Sequence, residues 1–293
     1  MFGTNEIVGA KYFAEATGQE KLFVTSMFMT LQGEGPYRGL PAFFIRLAKC
    51  NLDCSFCDTF FDDGDWLTFE EIDHRISTTI NDFYRSIDQS VPEWATNRDG
   101  HRRRMVLVIT GGEPMLQDNL GPFLGIQQHK FKNTQIESNG TRLAAGIPES
   151  TTVVISPKCT EKSGIPDRYL KIRQAVLDRA DCLKFVMDAT SRSPYASIPD
   201  WAQDWASDSG KDVFISPMNI YNDVPKKAKA LRATGVNRVE MEQRSTVDEV
   251  ISFWEEGLLN MKRNQENHEY AARYCVQHGL ILNLQIHLYA SLA

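Results

Sequence analysis

Apolar strand-like runs alternate with amphipathic helical runs along this 293-residue chain, and this alternation predicts an α/β fold. The runs at 105–110 and 151–155 are continuous and rich in β-branched residues, as is typical of parallel strands covered on both faces. Thr68-x-x-Glu71 is a capping box that opens a helix between such strands. We expect about six or seven core strands, too few for a closed eight-stranded barrel. The sequence therefore predicts an incomplete α/β barrel, with its site at the C-terminal strand ends.

The remaining elements follow the same alternation. The predicted strands are 22–30, 41–47, 105–110, 134–138, 151–155, 182–187, 212–216 and 280–287. The predicted helices are 68–83, 117–130, 168–180, 225–234 and 266–278, the last ended by Gly279. Segments 84–104 and 194–211 are interpreted as insertions, and the basic run 101–104 as a solvated loop end. Because the sequence holds no internal repeat or low-complexity linker, residues 1–293 are predicted to form a single domain.

Composition narrows the function classes. The formal net charge is −6, so no broadly basic surface is expected for nucleic acid or an anionic membrane. The sequence has no run of 18 apolar residues and no signal-peptide pattern at Met1, so we expect a soluble, cytoplasmic protein. In that compartment, closely spaced thiols favour metal binding or redox chemistry over disulfides.

Cys50, Cys54 and Cys57 have the spacing C-x3-C-x2-C and directly follow the predicted strand 41–47. Iron–sulfur cubanes are held by Cys thiolates, normally four, so three thiolates leave one iron open to another ligand. A structural zinc is the alternative, but it takes four ligands, usually as two pairs. The other cysteines, at 159, 182 and 275, have no close partner and are expected to be buried small hydrophobes. The spacing favours an iron–sulfur site and leaves zinc open.

A glycine-rich turn, Thr110-Gly-Gly-Glu-Pro114, follows the strand at 105–110. Its glycines let a ligand approach the backbone closely. Together with the cysteine loop, this turn resembles the radical S-adenosylmethionine superfamily. Residues 31–36 (Leu-Gln-Gly-Glu-Gly-Pro) and 57–59 (Cys-Asp-Thr) narrow the resemblance to the 7-carboxy-7-deazaguanine synthase family of the queuosine and deazapurine pathways. The match is strongest over 24–60.

The resemblance implies a radical S-adenosylmethionine core, a partial TIM-type barrel of about six core parallel strands with an N-terminal strand extension. It implies a carbon–nitrogen lyase that converts 6-carboxy-5,6,7,8-tetrahydropterin to 7-carboxy-7-deazaguanine with loss of ammonia. In that family a 5′-deoxyadenosyl radical takes a hydrogen from substrate C6 and later returns it, so S-adenosylmethionine is regenerated. A [4Fe–4S] cluster, Mg²⁺, an electron donor such as flavodoxin or ferredoxin, and a homodimer are also implied.

The resemblance also implies residue roles. The cluster ligands would be Cys50, Cys54 and Cys57, and Thr59 would bind Mg²⁺. The pterin substrate would contact Leu31, Gln32, Gly33, Glu34, Arg46 and Thr110. S-adenosylmethionine would contact Gly112, Glu113, Glu137, Asn139, Ser156, Pro157, Lys158, Ser216, Pro217, Met218 and Asn219.

Several of these residues also have a physical rationale. Arg46 lies on an otherwise apolar strand, where an unpaired guanidinium is costly, so it favours a bidentate contact with a substrate carboxylate. A structural salt bridge is the alternative. Gln32 can both donate to and accept from a pterin edge. Thr59 alone would be interpreted as a loop cap, and only the Cys-Asp-Thr match favours Mg²⁺, which rarely uses an all-protein cage.

The chain departs from the family pattern at two places, before the first cluster cysteine and in the C-terminal tail. Lys49 stands where the family often has glycine before the first cluster cysteine. Gln285-Ile-His287 resembles the family's Gln-x-His ending, whereas residues 288–293 differ from its usual tail, so no counterpart for closing the substrate site is predicted.

Two other function classes remain open on sequence. A glycyl-radical-enzyme activase shares the cysteine spacing, but it would not need the Gln-Gly-Glu-Gly turn at 32–35 and would consume S-adenosylmethionine. A zinc-binding interaction module would use the cysteines structurally and would be colourless.

Overall fold

The computed structural model describes residues 6–16, 19–96, 99–222 and 259–290. Nine strands form one sheet in the order β11-β10-β9-β6-β5-β4-β2-β1-β3, and β7 and β8 form a separate hairpin. The strands are β1 Lys21–Leu31, β2 Pro41–Leu47, β3 Asp65–Thr68, β4 Arg102–Gly111, β5 Phe131–Ser138, β6 Thr151–Ile155, β7 Cys159–Lys162, β8 Ile165–Tyr169, β9 Cys182–Met187, β10 Val213–Pro217 and β11 Ile281–Leu282. The predicted helix 225–234 lies outside the described residues.

The core of the sheet is parallel. Strands β2, β4, β5, β6, β9, β10 and β11 pair in parallel, whereas β1 and β3 extend the N-terminal edge in antiparallel pairing. The central strands are apolar and buried on both faces, as their continuous hydrophobic runs predict. The two edge strands, β11 and β3, do not pair with each other. The predicted incomplete α/β barrel with an N-terminal strand extension is therefore confirmed.

Helices cover the sheet. They are α1 Phe69–Ser86, α2 Leu120–Gln127, α3 Gln174–Arg179, α4 Asp200–Ser209, α5 Met261–His278 and α6 Ile286–Ala290. The capping box at Thr68 forms both of its hydrogen bonds, and Gly279 ends α5 in the left-handed conformation, as predicted. Among the helices described, none combines the length and the apolar character that a bilayer crossing requires.

Two sequence predictions of local structure are wrong in part. The helix predicted over 168–180 begins only at Gln174, because Gly164, with a φ of +75°, turns the preceding chain into the β7–β8 hairpin. The strand predicted over 280–287 is limited to β11. Beyond it Asn283 turns its side chain to Ser216 at 2.8 Å, and helix α6 follows. Segment 194–211, predicted to be an insertion, contains α4.

The basic run 101–104, predicted as a solvated loop end, leads into β4, and its Arg103 and Arg104 are exposed whereas Arg102 is not. Arg102 begins β4 and is 1% exposed. Its guanidinium lies 3.6 Å from the carboxylate of Asp73, bonds the hydroxyl of Ser77 and stacks over the ring of Phe131. The charge of Arg102 is therefore part of the packing between α1 and the sheet.

Candidate active site

A cavity of about 250 Å³ opens at the C-terminal ends of the parallel strands. Its walls come from the loops after β2, β4, β5, β6 and β10, and from one face of β1 and β2. Since the carboxyl ends of parallel strands meet at one edge of a sheet, segments far apart in sequence converge there. The cysteine loop, the glycine turn and both Ser-Pro turns all reach this cavity.

Cys50, Cys54 and Cys57 all line the cavity. Burial raises the pKa of the Cys50 and Cys57 thiols to about 12 and that of Cys54 to about 11, so a bound cation would be needed to hold them as thiolates. Within the described residues, no three His, Cys, Asp or Glu side chains converge closely enough to bind a single metal ion. Three thiols around one cavity therefore suit a multi-iron cluster better than a closed zinc site.

The base of the cysteine loop is anchored by Lys49. This residue is buried, with a φ of +71°, and its ammonium bonds the carboxylates of Glu6 at 3.0 Å and Asp62 at 2.8 Å. The N–H of Val8 donates to the carbonyl of Cys50 at 2.8 Å. The side chain that replaces the family's glycine thus ties the N-terminal segment to the first cysteine.

The glycine turn packs against the same loop. The N–H of Gly112 donates to the carbonyl of Leu47, and the N–H of Glu113 to that of Lys49, both at 2.9 Å. The Glu113 carboxylate is fully buried and accepts from the backbone N–H of Met115 and Asn139 and from the Ser138 hydroxyl, at 2.6–2.9 Å. Its side chain consequently links the glycine turn to the turn at 138–139, behind the cavity wall.

An ion-pair network crosses the cavity floor. Lys184 Nζ lies 2.5 Å from Oε2 of Glu34 and 3.0 Å from Oε2 of Glu137. Although burial alone would raise it, the Lys184 ammonium and the hydrogen bond from Gln32 hold the pKa of Glu137 below its usual value. The Glu137 carboxylate is therefore held ionised, and Lys184 lies between it and Glu34.

Arg46 faces the cavity beside Thr59. Its guanidinium donates to the Thr59 hydroxyl at 3.1 Å and stacks over the Phe28 ring, 5.2 Å from the centroid. The Thr59 hydroxyl in turn donates to the Asp58 carboxylate at 3.0 Å. This arrangement supplies hard oxygen atoms next to a guanidinium, the groups that would meet a cation and a carboxylate.

The C-terminal segment closes one side of the cavity. A Cβ on Gly33 would lie 2.1 Å from Nδ1 of His287, so only glycine lets the two approach this closely. The amide of Asn219 donates to that of Gln285 at 2.5 Å. Gln285 and His287 thus reach the cavity, although the tail beyond them differs from the family pattern.

Comparison with known proteins identifies the family. The chain is 35% identical over 183 residues to the 7-carboxy-7-deazaguanine synthase of Rickettsia prowazekii, covering 62% of this chain and 68% of that protein. It is 34% identical over 169 residues to the synthase of Escherichia coli (strain K12), covering 55% and 70% respectively. The chain belongs to the 7-carboxy-7-deazaguanine synthase family.

Two further comparisons cover a larger share of this chain. The synthase of Rhodospirillum rubrum is 30% identical over 203 residues, covering 68% of this chain and 71% of that protein. The crystal structure of QueE from Escherichia coli aligns over 95% of this chain and 99% of that chain, at 20% identity and a TM-score of 0.49. No family model matches the chain.

The structure brings most of the predicted 7-carboxy-7-deazaguanine synthase residues to the cavity. Those that line it are Gln32, Glu34, Arg46, Cys50, Cys54, Cys57, Thr59, Thr110, Gly112, Glu137, Asn139, Ser156, Lys158, Ser216, Pro217 and Asn219. Leu31, Gly33, Glu113, Pro157 and Met218 lie outside the lining. Leu31, the last residue of β1, alternates with the lining residues at 30 and 32, so its side chain is directed away from the cavity.

Sequence reasoning missed several lining residues. Phe28 and Thr30 share a face of β1 with Gln32, and the Thr30 hydroxyl is buried and has no hydrogen-bond partner among the residues that the structure describes. Alternation along the strand could have found both. Lys184 could also have been found, because it is the one charged residue in the apolar strand 182–187.

Proposed function

We propose that this chain acts as a 7-carboxy-7-deazaguanine synthase in deazapurine formation, such as queuosine biosynthesis. Its reaction would convert 6-carboxy-5,6,7,8-tetrahydropterin to 7-carboxy-7-deazaguanine with release of ammonia. The observation that carries the proposal is the convergence on one cavity of the cysteine loop, the Gly111-Gly112 turn and the Gln32-Gly-Glu34 turn. Family membership and this convergence together favour a single site for a cluster, a nucleoside cofactor and a pterin.

The cluster and the cofactor would be held by groups around this cavity. Cys50, Cys54 and Cys57 would ligate a [4Fe–4S] cluster. S-adenosylmethionine would lie along the Gly112 turn, Glu137, Asn139 and the Ser-Pro turns at 156–158 and 216–219. When bound, the cluster and S-adenosylmethionine supply the one-electron chemistry that abstracts a hydrogen atom. The protein's part is to orient the ligands and exclude water.

The pterin would lie between β1 and the loop after β2. Gln32 and Glu34 would face its amide and amine edge, where an amide and a carboxylate match donor and acceptor groups. Arg46 would pair with its carboxylate, and Thr59 would bind Mg²⁺ beside that carboxylate. Two contacts support these roles. The Arg46 guanidinium donates to the Thr59 hydroxyl at 3.1 Å, and the Thr59 hydroxyl donates to the Asp58 carboxylate at 3.0 Å.

A flavodoxin or ferredoxin would deliver the electron, and we propose a homodimer, both on the basis of the family. Assignment to the cytoplasm and a single-domain organisation stay predictions.

Mass analysis tests the proposed function directly. The protein is reconstituted anaerobically with iron and sulfide, then incubated with reductant, S-adenosylmethionine, Mg²⁺ and 6-carboxytetrahydropterin. Formation of 7-carboxy-7-deazaguanine is expected. Cleavage of S-adenosylmethionine to 5′-deoxyadenosine without this product would favour the activase class instead. A colourless protein that binds zinc and no iron would contradict both enzyme classes.

A further inference from the structure

Lys184 is the charged residue of the cavity to which neither the sequence motifs nor the family comparison gives a role. It lies on β9 between Leu183 and Phe185, which are fully buried on the opposite face. Its own side chain is 9% exposed and lines the cavity. A buried ammonium is costly unless it is paired, so its partners decide what it does.

Those partners are the two carboxylates of the cavity floor. Oε1 of Glu34 also accepts from Ser216 at 3.2 Å and Asn283 at 3.3 Å. Oε1 of Glu137 also accepts from Gln32 at 3.2 Å and Gln135 at 3.1 Å. In each carboxylate both oxygens are therefore hydrogen-bonded, and Oε2 of each contacts the Lys184 ammonium. The orientation of either carboxylate depends on Lys184.

The two carboxylates belong to different ligand sites under the proposed function. Glu34 follows β1 and faces the pterin region, whereas Glu137 lies on β5 directly before the cofactor turn at 138–139 and also accepts from Gln32 of the pterin region. Lys184 is the cation that both contact. Without it, two carboxylates 12% and 14% exposed would face each other across the floor with no shared counter-ion.

We propose that Lys184 is a positioning residue that couples the pterin site to the S-adenosylmethionine site by holding Glu34 and Glu137 on one ammonium. The proposal rests on the proposed function. It predicts that occupation of one site stiffens the shared ion pair and so changes the affinity of the other site, a reciprocal coupling.

The test measures binding on the reconstituted protein. The dissociation constant of 6-carboxypterin, an oxidised and unreactive analogue of the substrate, is followed by its fluorescence, without and with saturating S-adenosylmethionine. Lys184→Met removes the charge, Lys184→Arg keeps it, and Lys132→Met on the exposed face of β5 is the matched control. If Lys184→Met does not fold, Lys184→Gln removes the same charge and keeps a hydrogen-bond donor.

In wild type we expect S-adenosylmethionine to tighten pterin binding. In Lys184→Met we expect the dissociation constant of 6-carboxypterin to rise about 10- to 100-fold, both without and with S-adenosylmethionine. The effect of S-adenosylmethionine on that constant should disappear. Lys184→Arg should recover part of that coupling, and Lys132→Met should behave as wild type. Unchanged coupling in Lys184→Met, or in Lys184→Gln, overturns the role of Lys184. Failure of wild type to bind 6-carboxypterin would instead count against the proposed function itself.

Discussion

Gly112→Ala tests the contact between the glycine turn and the cysteine loop. An added Cβ would lie 1.9 Å from the carbonyl oxygen of Lys49, 2.4 Å from its carbonyl carbon and 3.0 Å from the backbone nitrogen of Cys50. All three atoms are backbone, so no side-chain rotation relieves the overlap. A Cβ normally lies about 3.5 Å from such backbone atoms, so the turn would have to move away from the loop by more than an ångström. The hydrogen bonds from Gly112 and Glu113 would break, and the predicted loss is about 2–5 kcal/mol of unfolding free energy.

Urea denaturation of the apoprotein, followed by circular dichroism, measures this loss, and iron and sulfide content after reconstitution measures its effect on the cysteine loop. Gly125→Ala is the matched control, because a Cβ there meets nothing within 4 Å and the residue lies in α2. It should stabilise the protein by about 0.5–1 kcal/mol. Gly112→Ala protein with wild-type stability and a full iron load would refute the proposed packing of turn against loop.

Substitutions at three further positions test separate parts of the site. Cys54→Ala should abolish cluster assembly, because two thiolates cannot replace three, and a variant that still reconstitutes with full iron and sulfide would exclude Cys54 as a ligand. Arg46→Lys should weaken pterin binding by about 1–3 kcal/mol through loss of the planar fork, measured as the dissociation constant of 6-carboxypterin. An unchanged constant would assign Arg46 a structural role. Lys49→Gly should be more stable to urea than Lys49→Ala by about 1 kcal/mol, because only glycine adopts the φ of +71° without strain. Equal stability of the two variants would show that this backbone conformation is not retained.

The hydrophobic pattern of the sequence predicted the parallel strands of the core correctly. The strands at 41–47, 151–155 and 182–187 have the predicted bounds, because their apolar runs are buried on both faces. The β7–β8 hairpin and the end of β11 at Leu282 were not predicted. Their structure depends on a positive-φ glycine and on the side-chain contact of Asn283, which sequence periodicity does not reveal.

Motif spacing predicted the cysteine loop and the cavity's glycine turn, because these segments follow strands directly. The side-chain contacts of individual residues could not be predicted in this way. Glu113 is contiguous with Gly112, yet its carboxylate turns away from the cavity to bond Ser138 and Asn139. The approach of His287 to Gly33 depends on where the C-terminal segment packs after the sheet has formed. The Glu113 contacts join residues 25 and 26 positions apart, and the approach of His287 to Gly33 spans most of the chain, so no local pattern encodes them.

The most direct test of the proposed synthase activity is the ratio of product to cofactor in a reaction where S-adenosylmethionine is limiting. Mass analysis of one reconstituted sample measures 7-carboxy-7-deazaguanine and 5′-deoxyadenosine together. Regeneration of the cofactor predicts more product than S-adenosylmethionine supplied, with little 5′-deoxyadenosine. No 7-carboxy-7-deazaguanine, with 5′-deoxyadenosine equal to the S-adenosylmethionine consumed, would contradict the proposed function.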